Sequence, residues 1–139
     1  MKKILLALTL LIFLAGCFDS KNPGGVLTYN QIPTSVLEFI DGKNILDDEE
    51  IIAYYDITIF MNNSESAILT NKNVIYYKDG RIMKIPLNEI QSINQDKDVF
   101  GFYIYVAPIN GQLMTIEIAH MNGGDLFLDL LKKEVKRLL

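Results

Sequence analysis

The one cysteine of the sequence, Cys17, occupies the position with the clearest chemical consequence. It follows the small and apolar residues 14–16, which end an uncharged run that begins after Lys2 and Lys3. A lone cysteine excludes a disulfide within the chain and a cysteine metal cluster. Its sulfur can instead form a thioether with a lipid. We therefore expect cleavage after residue 16 and lipid attachment to Cys17.

The apolar run from Ile4 to Leu14 has the length of a secretory signal rather than that of a membrane span. As a helix it would cover only about 20 Å of a hydrocarbon core that is about 30 Å thick. The four residues Leu14-Ala15-Gly16-Cys17 resemble the lipobox of bacterial lipoproteins. This resemblance implies a signal peptide at residues 1–16, a lipid anchor on Cys17, and a location at the bacterial cell envelope, on the extracytoplasmic side of a membrane.

Histidine-dependent catalysis has a single candidate, His120, at the end of a predicted strand. A serine triad needs a histidine base, and a zinc site needs several ligands at set spacings. Ser64 and Ser66 flank Glu65 without the sharp strand-to-helix turn that a hydrolase nucleophile occupies. We therefore expect no catalytic residue, no metal and no other cofactor.

Carboxylates are the remaining groups that could do chemistry, because a pair that flanks a cleft can hydrolyse a glycosidic bond. The acidic run 47–50 could bind a divalent cation, but it lacks the spaced oxygens and the central glycine of a calcium loop. We interpret it as a solvated turn. Gly123-Gly124 could offer amides to an anion, and we interpret it as a sheet-to-helix turn. The candidates for a hydrolytic carboxylate pair lie on four separate predicted elements, so the sequence does not place any two together: Glu49, Glu65, Glu89 and Glu117.

The charge balance argues against nucleic acid as a partner. The chain has a formal net charge of −4, and loss of Lys2 and Lys3 with the signal makes it more negative. An acidic surface repels phosphate backbones. Contact with a membrane should therefore come from the attached lipid rather than from a basic patch.

Two segments precede the main body of the chain. Residues 17–30 are rich in Gly, Pro and Asn, and we predict a flexible tether there. Pro33-Thr34-Ser35 offers helix-capping side chains. We predict a short helix from about Thr34 to Ile40, and an acidic linker in the rest of segment 31–50.

Residues 51–139 contain runs in which apolar and polar residues alternate, which is the pattern of β-strands. Asp79-Gly80 and Asn110-Gly111 separate such runs and predict tight turns. A helical apolar stripe after Gly124 ends the chain. We therefore predict a mostly β (α+β) domain: a small antiparallel barrel or sandwich of about seven strands, capped by a C-terminal amphipathic helix.

The longest predicted strand runs from Val99 to Ala107, after a polar loop at residues 95–98. Tyrosines near strand centres usually pack in or beside a core. An exposed set could instead form a protein-binding face. The four tyrosines concerned are Tyr54, Tyr76, Tyr103 and Tyr105.

The segment from Ala67 to Tyr77, which contains Leu69-Thr70-Asn71-Lys72-Asn73, resembles a strand pair of bacterial pleckstrin-homology-like domains. Residues 85–93 and the closing helix are similar to the parts that follow in that family. The resemblance covers residues 51–139 and implies their fold. Asn73 departs from the family, in which many relatives carry a basic residue there, and the basic pocket of the phosphoinositide-binding relatives has no counterpart.

These observations predict a membrane-anchored lipoprotein whose domain is a non-enzymatic binding or scaffold domain at the bacterial envelope. An envelope protein is one partner that it could hold. Two alternatives stay open. One is a carboxylate-dependent envelope hydrolase, and the other is a carrier with an apolar ligand in an unfilled cavity of several hundred Å³.

Overall fold

The computed structural model describes residues 24–139, so the predicted signal peptide, Cys17 and residues 18–23 of the predicted tether lie outside the described residues. The strands are β1 (Leu27–Thr28), β2 (Ile51–Asp56), β3 (Glu65–Thr70), β4 (Asn73–Lys78), β5 (Arg81–Pro86), β6 (Ile90–Lys97), β7 (Gly101–Pro108) and β8 (Met114–Ala119). The helices are α1 (Thr34–Gly42) and α2 (Gly124–Leu138), and 3-10 turns cover Tyr29–Gln31 and Leu87–Glu89.

The strands form two antiparallel sheets, and neither sheet closes on itself. One has the order β1-β2-β3-β4-β5 and the other the order β6-β7-β8. The predicted fold class, mostly β with a C-terminal helix, is confirmed. The arrangement is an open pair of sheets rather than a closed barrel.

A first core lies between the two sheets and beneath α2. Alternate residues of β7 and β8 point into it, as their sequence pattern predicts. A Cβ at Gly124 would lie 2.5 Å from the ring of Phe102, so α2 needs a glycine at its first residue to approach β7 this closely. The buried apolar side chains of β7, β8 and α2 are Phe102, Ile104, Val106, Met114, Ile116, Ile118, Phe127, Leu128 and Leu131.

The five-stranded sheet is covered on its other face as well. A second core lies between that face and the chain before β2. Tyr54 and Tyr55 point to opposite faces of β2 and are both buried, so this strand lacks the one exposed face that its alternation predicts. The buried residues of the second core are Leu27, Ile32, Val36, Ile40, Ile45, Ile51, Tyr54, Ile68, Ile75 and Tyr77.

Two predicted segment boundaries need correction. Leu27 pairs with Tyr54, so a flexible tether does not extend to residue 30. The predicted short helix is present and runs on to Gly42, and Ile45 beyond it is fully buried. Residues 31–50 are therefore part of the folded domain rather than a linker, because their apolar side chains are needed to cover the sheet.

The β6–β7 turn also differs from its prediction. The pairing of Lys97 with Phe102 extends β6 over residues 95–97 of the predicted polar loop, since an edge strand exposed to solvent needs no apolar pattern. Val99 and Phe100 lie in the turn rather than in β7. Asp98 Oδ1 accepts hydrogen bonds from the backbone N–H groups of Phe100 at 2.8 Å and Gly101 at 3.0 Å, which fixes the turn.

Candidate binding cleft

An open cleft of about 630 Å³ lies between α1 and the residues that lead into β2. It is at the end of the five-stranded sheet where β2 begins, beside the β3–β4 turn, because Asn71 N–H donates to the carbonyl of Glu50 at 3.0 Å. The lining combines apolar side chains with four carboxylates. The lining residues are Tyr29, Leu37, Ile40, Asp41, Leu46, Asp47, Glu49, Glu50 and Ile51.

The walls of the cleft follow from local structure. Leu37 and Asp41 are four residues apart in α1 and therefore lie on one side of the helix. Tyr29 begins a 3-10 turn that is stabilised by Gln31, whose Oε1 accepts hydrogen bonds from the backbone N–H and the hydroxyl of Thr28, each at 2.9 Å. Sequence reasoning did not identify this cleft, because its walls come from segments that meet only when the second core forms.

Glu49 is the buried carboxylate of the cleft, with 1% of its side chain exposed. Its Oε2 accepts hydrogen bonds from Thr70 Oγ1 at 2.5 Å and from Asn73 Nδ2 at 2.8 Å. Burial raises the pKa of Glu49, but the hydrogen bonds from Thr70 and Asn73, with the nearby charge of Lys84, lower it by more. The net effect is a lowered pKa, so this carboxylate is ionised at neutral pH.

Asp47 shares a cation with Glu49. Lys84 Nζ lies 2.7 Å from Asp47 Oδ2 and 3.5 Å from Glu49 Oε1. The hydrogen bond and the charge of Lys84 lower the pKa of Asp47. Lys72 Nζ donates to the carbonyl of Asp48, so two lysines attach the acidic run to the sheet.

The acidic run is thus only partly the solvated turn that the sequence predicts. Asp48 and Glu50 are exposed, but Glu49 is buried in a hydrogen-bond network. Within residues 24–139, no group of three or more His, Cys, Asp and Glu side chains could hold a metal ion. The ionised carboxylates of Asp47 and Glu49 already pair with Lys84, and neither suits proton donation, which requires a raised pKa.

The serine and histidine candidates do not come together. Ser66 is buried in β3 of the five-stranded sheet, whereas His120 is exposed after β8 of the three-stranded sheet. Ser64 Oγ donates to Asn62 Oδ1 at 2.7 Å. None of these three candidates lines the cleft.

The remaining glutamates also lie apart from Glu49. At the far end of β3, Glu65 accepts a hydrogen bond from the Tyr76 hydroxyl and forms a salt bridge with Lys78. Glu89 is exposed in a 3-10 turn and Glu117 is exposed on β8. The carboxylates that meet at the cleft are therefore neighbours of Glu49 in the acidic run, together with Asp41 of α1.

The four tyrosines divide into two pairs. Tyr54 is buried, which raises its pKa, and its hydroxyl donates to Asn63 Oδ1 at 2.6 Å. Tyr76 is half-buried and donates to Glu65. Tyr103 and Tyr105 are half-buried on the outer face of the three-stranded sheet, away from the first core.

The first residues of the chain match a known family. Residues 1–17 match the family described as the prokaryotic membrane lipoprotein lipid attachment site. The chain carries the attachment site of a bacterial membrane lipoprotein. It matches no curated protein and no solved structure. Among the described residues of this lipoprotein, no helix has both the length and the apolar character that crossing a membrane requires.

Proposed function

We propose that this lipoprotein is a binding domain of the bacterial envelope, without catalytic activity, whose lipid is attached to Cys17. The attachment-site match supports the anchor. The observation that carries the binding role is the cleft, in which apolar walls adjoin carboxylates. Two of these, Asp47 and Glu49, are kept ionised by their hydrogen bonds and by Lys84.

The chemistry of the cleft favours a ligand with a positive charge next to an apolar group. Asp41 and Glu50 are exposed, and neither forms a salt bridge within residues 24–139. A lysine or arginine side chain could place its charge between them and its methylene groups against Leu37 and Leu46. A segment of an envelope protein that carries such a residue is the partner we propose.

Photocrosslinking in cells tests this function. Benzoylphenylalanine in place of Leu37 reports from the cleft, and the same replacement of the exposed Lys132 on α2 is the matched control. We expect one discrete protein adduct from position 37 and none of that mass from position 132. The double change Asp41→Asn and Glu50→Gln should weaken the adduct. The same products from both positions, or no adduct from either, would contradict the proposal.

The hydrolase is the second candidate, because the cleft brings four carboxylates together. Glycoside hydrolysis needs one carboxyl group with a raised pKa to act as the acid. The pKa values of Asp47 and Glu49 are both lowered, which supports binding instead. Release of sugar fragments from purified peptidoglycan, abolished by Glu50→Gln, would favour the enzyme.

The carrier alternative has less support. Side chains fill the space between the two sheets, where Ala53, Leu69, Ile104 and Ile116 are fully buried. The cleft of about 630 Å³ lies outside the sheets and is open to solvent. An apolar molecule that co-purifies with the protein would support the carrier alternative.

We also propose that residues 51–139 have a pleckstrin-homology-like fold. The seven strands from β2 to β8 and the helix α2 agree with what the sequence resemblance implies. An experimental structure tests this by superposition on members of that family. A different strand order or hand of connection would contradict it.

A further inference from the structure

The most exposed apolar side chains lie in three loops. Ile59 and Phe60, in the β2–β3 loop, are 92% and 87% exposed. Val99 and Phe100, in the β6–β7 turn, are 82% and 77% exposed, and Met121, after β8, is 95% exposed. Among the large apolar residues of the described part of the chain, the C-terminal Leu139 is the other one with comparable exposure.

These three loops meet at one end of the molecule. The hydroxyl of Tyr55 accepts a hydrogen bond from Ala119 N–H at 3.0 Å, which joins the last residues of β2 and β8. Met61 and Met121 line one shallow cleft. Gly101 pairs with Ala119, so the β6–β7 turn lies beside the end of β8. We call the loops 57–64, 98–100 and 120–123 together the apolar end.

The chain that leads back to Cys17 leaves the domain at the apolar end. Gly24 lines the shallow cleft between the two methionines, and Val26 N–H donates to the carbonyl of Asn122 at 2.8 Å. Residues 18–23 separate Cys17 from Gly24. Because an extended chain spans at most about 3.6 Å per residue, Cys17 is held within about 25 Å of Gly24.

The charges around the apolar end are compatible with a lipid surface. Residues 57–64 contain no Asp, Glu, Lys or Arg. The carboxylate of Asp98 accepts hydrogen bonds from its own turn. The adjoining β4–β5 hairpin, whose Asp79 N–H donates to the carbonyl of Ser64 at 2.8 Å, carries the exposed basic residues Lys78 and Arg81 and the exposed acid Asp79. Basic side chains beside apolar loop tips suit anionic headgroups, and here they outnumber the acid of the hairpin.

We propose that the apolar end docks on the bilayer that holds the lipid of Cys17, with Phe60 and Phe100 inserted at the headgroup boundary. This inference rests on the lipid attachment in the proposed function. β2 runs from the binding cleft at Ile51 to the apolar end at Asp56. Docking therefore holds the cleft on the side of the domain away from the bilayer, open to the aqueous compartment.

Tryptophan fluorescence tests the docking, because the sequence has no tryptophan. Phe60→Trp and Phe100→Trp are made in the full lipid-carrying protein, which is reconstituted in vesicles of phosphatidylethanolamine and phosphatidylglycerol. We expect blue-shifted emission that lipids with brominated acyl chains quench. The matched control is Ile109→Trp, at the opposite end of β7 and 59% exposed, whose emission should stay that of an indole in water and should not be quenched.

Two results would overturn the docking. One is water-like emission from all three variants. The other is a blue shift at positions 60 and 100 without bromine quenching, which would assign the apolar end to a second copy of the chain or to a protein partner.

Separate measurements distinguish a failure of the docking from a failure of the lipid attachment. An intact mass that shows Cys17 without lipid overturns the proposed anchor, and the soluble Cys17→Ser protein added to the same vesicles still tests the apolar end. We expect Phe60→Ser to lower the partition of that protein onto vesicles by about tenfold, because a buried phenylalanine contributes about that much. An unchanged partition would overturn the docking.

Discussion

Glu49 joins segments that are far apart in the chain, since its carboxylate accepts hydrogen bonds from the β3–β4 turn and adjoins Lys84 of β5. We expect Glu49→Gln to lower the free energy of unfolding by about 1.5–3 kcal/mol, because hydrogen bonds to a charged acceptor contribute this much. Urea unfolding at pH 7 measures it. Glu50→Gln is the matched control and should change stability by less than about 0.5 kcal/mol. Equal losses of unfolding free energy in the two variants would mean that the hydrogen bonds of Glu49 do not hold the acidic run.

The same residue should make stability depend on pH. The pKa of folded Glu49 is lowered from its ordinary value of 4.5, so its contribution is fully present above that value and is lost as the pH falls below it. The difference in unfolding free energy between the wild type and Glu49→Gln should therefore shrink from pH 6 to pH 3. A difference that stays constant over this range would show that the ionised form is not the one that stabilises.

At the scale of elements, the position of α2 depends on Gly124. A Cβ there would meet the Phe102 ring at 2.5 Å, whereas a Cβ at Gly42, the last residue of α1, would meet nothing within 4 Å. We expect Gly124→Ala to cost about 1–3 kcal/mol through overpacking. Gly42→Ala should be neutral or slightly stabilising. Thermal unfolding of both variants tests the contrast, and a similar melting temperature for the two would refute it.

The elements that could be predicted are those whose alternation of apolar and polar residues matches one buried face and one exposed face in the structure. β7 and β8 each have one face on the first core, and their alternation predicts them. At the Asp79-Gly80 turn both residues have positive φ, 47° and 84°, as the residue types predict. β2 and β6 were harder to predict from the sequence, because β2 is buried on both faces and β6 is exposed along much of its length.

The binding cleft could not be predicted for a related reason. Tyr29, Leu37 and Glu49 belong to separate segments, and only the second core brings them together. The apolar pair Ile45 and Leu46, just after a helix and outside any strand pattern, was the signal that residues 31–50 belong to the domain. Neither a cation site nor a solvated turn describes Glu49, since its environment comes from residues more than twenty positions away.

For the whole molecule, we expect the lipid to supply most of the membrane affinity, because acyl chains on one sulfur bury far more apolar surface than loop tips do. Cys17→Ser should move the protein from the membrane fraction to the soluble fraction of cells. Its unfolding curve in urea should match that of the wild-type domain. Continued recovery of the variant with membranes, after signal cleavage verified by intact mass, would contradict anchoring through this residue.

The first strand after the anchor, β1, is short. β1 contributes two residue pairs to the sheet, Leu27 with Tyr54 and Thr28 with Ala53, and the chain continues directly into Tyr29 at the cleft wall. When a partner held in the cleft is pulled away from the bilayer, the tension passes through the Val26–Asn122 hydrogen bond and this edge strand before it reaches the longer strands. The two residue pairs of β1 would shear from β2 first, and Tyr29 would go with them. The domain would then release its partner under load while the rest of the sheet stayed folded.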